Sequence, residues 1–109
     1  MVLRMRVVDM VEDAGYTPVE AVDAEAALAI LESSLGIGLL FTDIQMPGKM
    51  DGLQLAYVVH ERWPAIKIML VSGQLKLSES DIPPHSRFFG KPLKADEIIA
   101  EMQNMIGHA

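Results

Sequence analysis

The chain has 109 residues, half of them hydrophobic, with a formal net charge of −6 and no cysteine. That is enough apolar material for one folded domain, residues 1–109, and too much for a disordered tail. The acidic balance argues against direct nucleic-acid binding, and the missing cysteines exclude a disulfide framework or a thiolate metal site.

The N-terminus lacks the apolar run of a signal peptide, and no window approaches the length of a membrane span, so a cytoplasmic protein is expected.

In chain order, Val2 to Ala14 carries apolar residues at Leu3, Val7, Met10, Val11 and Ala14, which predicts a helix ended by Gly15. Tyr16 to Val22 reads as a strand, and Pro18 inside it predicts an edge position because proline cannot donate to a ladder. Asp23 is placed to cap a helix over Ala24–Ser33. Leu39–Asp43 is a short run, mostly apolar, that ends on a carboxylate and is followed by a loop containing Pro47 and Gly48, the pattern of a buried parallel strand. A third helix is expected over Gly52–Trp63, with Leu53, Ala56, Tyr57, Val59 and His60 facing inward and Pro64 stopping it. Lys67–Ser72 is a second apolar strand. Pro83 and Pro84 forbid a long helix after it, leaving a turn around Ser78 to Asp81. Arg87–Gly90 is a short strand, and Ala95–Ile106 a final helix burying Ile98, Ile99, Met102, Met105 and Ile106.

Strands alternating with helices predict an α/β fold, a doubly wound parallel sheet with helices on both faces. In such sheets ligands and chemistry collect beyond the carboxyl ends of the strands. Asp43, Ser72 and Lys91 all stand there. On position alone Asp43 is a nucleophile, a metal ligand or a helix cap. Ser72 alone reads as a turn residue, Lys91 as a solvated lysine, and Phe88 with Phe89 as core aromatics. Taken together the three polar groups have a joint chemistry. A carboxylate can attack phosphorus to give an acyl phosphate, a hydroxyl and an ammonium can stabilise the new phosphoryl oxygens, and Mg²⁺ would neutralise the rest.

The segments Phe41-Thr42-Asp43-Ile44-Gln45-Met46-Pro47-Gly48, Met50-Asp51-Gly52, Val71-Ser72-Gly73 and Phe88-Phe89-Gly90-Lys91-Pro92 resemble the receiver domain of bacterial two-component response regulators. The resemblance covers nearly the whole chain and implies a flavodoxin-like fold with strand order 2-1-3-4-5. It implies that Asp43 is the phosphoacceptor, loaded by a histidine kinase or phosphotransfer protein. It further implies that Ser72 is the switch hydroxyl, Lys91 the phosphate-facing lysine and Phe88 the aromatic switch. The Gln45 backbone carbonyl would be a Mg²⁺ ligand beside Asp43.

Two departures from that pattern set expectations of their own. The chain reads as starting inside the first helix, so the fold is expected to be N-terminally truncated, with the first strand absent and its acidic pair missing. Glu12-Asp13 looks like that pair but falls in a helix, on the far side of the sheet from Asp43. Without a first strand, either the Pro18 strand moves beside Leu39–Asp43, a second chain fills the gap, or the chain is a fragment whose true start lies upstream, the expected case; the open ladders also make a homodimer worth testing. The two prolines also predict a reduced fourth helix, altering the surface that addresses a downstream protein partner.

The functions in competition are a phosphorylatable signalling switch, a receiver-like docking module independent of phosphorylation, and a phosphohydrolase similar to the haloacid dehalogenase group. The last needs a second aspartate two residues after the nucleophile, where Gln45 stands, so a signalling module rather than an enzyme is expected.

Overall fold

A computed structural model describes residues 2–3, 8–33, 36–45, 49–73, 79–90 and 92–106. The strands are β1 (Val2–Leu3), β2 (Glu20–Ala21), β3 (Leu39–Asp43), β4 (Lys67–Ser72) and β5 (Arg87–Gly90). They alternate with helices α1 (Val8–Asp13), α2 (Ala24–Ser33), α3 (Gly52–Arg62) and α4 (Ala95–Ile106). The sheet is parallel in the order β2-β1-β3-β4-β5.

The expectation of an absent first strand is corrected. Val2 and Leu3 pair with Glu20 and Ala21 on one side and with Phe41 and Thr42 on the other. The predicted helix over Val2 to Ala14 shrinks accordingly to Val8–Asp13. The physical reason is the slot itself. Had these residues stayed helical, the ladders of β2 and β3 would both have remained open, at about 1–3 kcal/mol for each buried backbone group left unpaired. With β1 in place, the Pro18 strand does not move next to β3, and the argument for a second chain in the gap falls away. The strand β2 does lie at the sheet edge, but it is two residues long because Tyr16 to Val19 make no ladder.

Both faces of β3 and β4 are covered, which is why every residue of β3 is buried. Alternation sends Leu40, Ile68 and Leu70 to the face packed by α2 and α3, with Ala27, Leu31, Leu55, Ala56 and Val59. It sends Leu39, Phe41, Met69 and Val71 to the opposite face, with Val11, Ala14, Ile98 and Met102. The inward stripe of α3 is Gly52, Leu55, Ala56 and Val59, which keeps Ala56 and Val59 of the expected stripe and replaces the rest. Tyr57 is exposed, and Leu53 and His60 are half-buried. In α4 only Ile98 and Met102 are fully buried, Ile99 and Met105 are half-buried, and Ile106 is exposed. Between β4 and β5 the helical structure among the described residues is one 3-10 turn, Glu79–Asp81. No helix of the described residues is long and apolar enough to cross a membrane.

Candidate functional site

Asp43 is the last residue of β3 and Ser72 the last of β4. In the ladder Asp43 pairs with Val71, and Ser72 pairs with Gly90, the residue before Lys91. Two of the predicted polar groups therefore stand side by side on one sheet edge. The third, Lys91, lies outside the described residues, one position beyond the end of β5.

Both described groups are buried: Asp43 is 6% exposed and Ser72 1%. The Gln45 backbone N–H donates to Asp43 Oδ1 at 3.1 Å. The Ser72 hydroxyl donates to Gln45 Oε1 at 2.8 Å. Gln45 thus links the carboxylate and the hydroxyl, its main chain holding one and its side chain the other. The resemblance implies a role only for its backbone carbonyl. The side-chain role depends on a contact between residues 27 positions apart, for which local spacing carries no signal.

The strand end is fixed from behind by α3. The Gly52 N–H donates to the Ile44 carbonyl at 2.9 Å, and the Ile44 N–H to the Val71 carbonyl at 2.9 Å. A side chain at Gly52 has nowhere to go. A Cβ there would fall on the Asp43 carbonyl oxygen and lie 2.8 Å from its carbon and 2.9 Å from the Ile44 Cα. Asp51 caps the helix in a capping box: its carboxylate accepts from the Gln54 N–H at 2.8 Å, and Gln54 Oε1 accepts from the Asp51 N–H at 3.0 Å. Asp43 is therefore not the helix cap, one of the roles its position left open.

Phe88 pairs with Leu70 and is half-buried against the α2/α3 cluster, on the same sheet face as Leu70 and Ser72 by alternation. Glu12 and Asp13 are exposed in the last turn of α1, the end of that helix next to the amino edge of the parallel sheet and away from Asp43. Residues 4–7, between β1 and α1, read Arg-Met-Arg-Val, with no acid among them. Among the described residues no group of three or more Asp, Glu or His side chains could hold a metal ion. Asp43 and the Gln45 carbonyl are two oxygen donors, whereas Mg²⁺ takes six ligands and wants near-octahedral geometry. These residues do not by themselves make a magnesium site.

Residues 1–103 match the response regulator receiver domain family. The chain belongs to that family. It is 31% identical over 107 residues to the response regulator receiver protein CpdR of Brucella abortus (strain 2308), a match covering 95% of this chain and 88% of that protein. It is also 31% identical over 98 residues to the nitrogen assimilation regulatory protein NtrX of Azorhizobium caulinodans, spanning only 21% of that longer protein. Among solved structures, a response regulator receiver protein from Sinorhizobium medicae WSM419 superposes with a TM-score of 0.85 at 24% identity, covering 98% of this chain and 94% of that one. The receiver domain of NtrX from Brucella abortus gives a TM-score of 0.83 at 26% identity over the whole of both chains. In a receiver domain, a signalling module, the edge carrying Asp43 and Ser72 is the first place to look for chemistry. Magnesium binding is typical of receiver domains, and residues 4–7, between β1 and α1, contain no Asp or Glu.

Proposed function

We propose that this receiver accepts a phosphoryl group on Asp43 from the phosphohistidine of a histidine kinase or phosphotransfer protein, and passes the change to a downstream protein partner in the cytoplasm. The observation that carries the reading is the pair of buried groups, Asp43 carboxylate and Ser72 hydroxyl, bridged by Gln45. In the transfer, a carboxylate oxygen forms a bond to phosphorus while the P–N bond breaks. The imidazole leaves with that electron pair and takes up a proton. Ser72 leaves Gln45 and donates to a phosphoryl oxygen, and the Lys91 ammonium supplies positive charge to the same oxygens. Phe88 follows Ser72 on the shared sheet face, changing what the β4–β5 surface presents to a partner.

A second reading has its own support. With no acid among residues 4–7, the chain could dock a partner without turning over phosphate. Amide NMR in beryllofluoride with Mg²⁺ separates the two readings, because that complex mimics a phosphoryl group on a carboxylate. Shifts at Asp43, Gln45, Ser72 and Phe88 that are lost in Asp43→Asn support the switch. A spectrum unchanged by beryllofluoride supports the docking module.

A further inference from the structure

Resting on the reading of Asp43 as phosphoacceptor, we infer that Thr42 is a positioning residue for the Asp43 carboxylate and acts through the peptide bond between Asp43 and Ile44. Thr42 is 0% exposed, in a strand whose other residues before Asp43 are Leu39, Leu40 and Phe41. It pairs with Leu70 in the ladder and shares with Leu40 the sheet face packed by α2 and α3. Valine is as good a strand residue and would fill the same space with no polar group to satisfy. A hydroxyl is costly to bury unless it makes a hydrogen bond. This one donates to the Asp43 main-chain carbonyl at 3.0 Å. Its β-branched side chain has few rotamers, so the donor is held in place before any phosphoryl group arrives.

The bond matters because of the peptide it grips. The Asp43 carbonyl and the Ile44 N–H belong to one planar unit. Thr42 holds the oxygen end, and at the other end the Ile44 N–H donates to the Val71 carbonyl at 2.9 Å. Gly52 closes the side toward α3, where a Cβ would lie 2.8 Å from the Asp43 carbonyl carbon. The same peptide lies inside the ring formed when Asp43 Oδ1 accepts from the Gln45 N–H at 3.1 Å, an Asx-turn. Its orientation fixes where the Gln45 N–H stands, and so how Oδ1 is held. A held Oδ1 sets the plane of the carboxylate, and with it the line along which an oxygen meets phosphorus. A displacement of about 1 Å in such a group can lose about 100-fold in rate. Without the Thr42 hydroxyl the Asp43–Ile44 peptide keeps its tie to Val71 and loses the one from its own strand.

The test compares Thr42→Val and Thr42→Ser with the parent 109-residue protein. Valine keeps the volume and removes the hydroxyl, whereas serine keeps the hydroxyl and removes a buried methyl. In the unmodified proteins the Gln45 amide proton is expected to move upfield and to exchange several-fold faster in Thr42→Val, and to stay near its parent position in Thr42→Ser. With acetyl phosphate and Mg²⁺, phosphoryl gain followed by intact mass is expected to slow about tenfold in Thr42→Val and by less than about twofold in Thr42→Ser. A merely structural role would instead make the rates follow Tm, with serine suffering for its lost methyl. A Gln45 amide unmoved in Thr42→Val, or a serine variant as slow as the valine one, would overturn the inference. A parent that gains no phosphoryl group fails the phosphoacceptor reading, and the Gln45 amide then decides for or against Thr42 by itself.

Discussion

The Ser72 hydroxyl is held by the Gln45 side chain at 2.8 Å, while the Gln45 main chain donates to the Asp43 carboxylate. The hydroxyl is therefore turned toward an amide oxygen in the unmodified protein and has to leave it before it can serve a phosphoryl group on Asp43. One neutral hydrogen bond is worth about 0.5–1.5 kcal/mol net. Removing the competitor with Gln45→Ala should tighten beryllofluoride binding by about two- to tenfold, as read from the NMR titration midpoint. An unchanged or weaker midpoint would mean that Ser72 does not have to move.

Gly52 tests how the phosphoacceptor strand is held. Because a Cβ there meets the main chain of Asp43 and Ile44 rather than a movable side chain, Gly52→Ala has to push α3 off the end of β3. Overpacking of this sort costs about 1–3 kcal/mol, and the rigid backbone neighbours put this case at the upper end. Thermal unfolding should show a drop in Tm of about 10 °C or more for a domain of this size. A variant as stable as the parent would contradict the packing of α3 on Asp43.

His85 offers the reverse case. Its left-handed backbone costs a residue with a Cβ about 1–2 kcal/mol, part of which glycine gives back as unfolded-chain entropy. His85→Gly should therefore raise Tm by a few degrees. Lower stability would show that the His85 side chain contributes packing that outweighs the strain.

Magnesium gives a further test of the donor set at Asp43. With Asp43 and one backbone carbonyl as donors and no acid among residues 4–7, the 109-residue chain should show no saturable Mg²⁺ binding in the submillimolar range. Calorimetry or amide shifts against Mg²⁺ would measure this, and tight binding would mean that further carboxylates complete the site.

Much of this architecture could be read in advance. The boundaries of α2, β3, β4, β5 and α4 coincide with the expected ones, because each is a continuous apolar run or a clear helical period bounded by a cap, a glycine or a proline. What could not be read was decided at long range. Val2–Leu3 is too short for any periodicity, and its strand state comes from two neighbours contributed by residues 20–21 and 41–42. The stripe of α3 is only partly legible, at Ala56 and Val59, because Tyr57 and His60 are amphipathic and fit either side of it. Leu55 became the buried residue once Gly52 was pressed against β3. At the site, Asp43 and Ser72 were legible because parallel strands bring their carboxyl ends together, whereas the Gln45–Ser72 bond was not. The capping box of Asp51 and Gln54 has a local signal, an aspartate three residues before a glutamine at the start of a helical period.

The most direct test of the central claim is intact mass of the 109-residue protein after incubation with acetyl phosphate and Mg²⁺, with Asp43→Asn alongside. The account predicts a gain of one phosphoryl group on the parent and none on the variant. No gain on the parent, or an equal gain on both, would contradict the assignment of Asp43 as the phosphoacceptor of this chain.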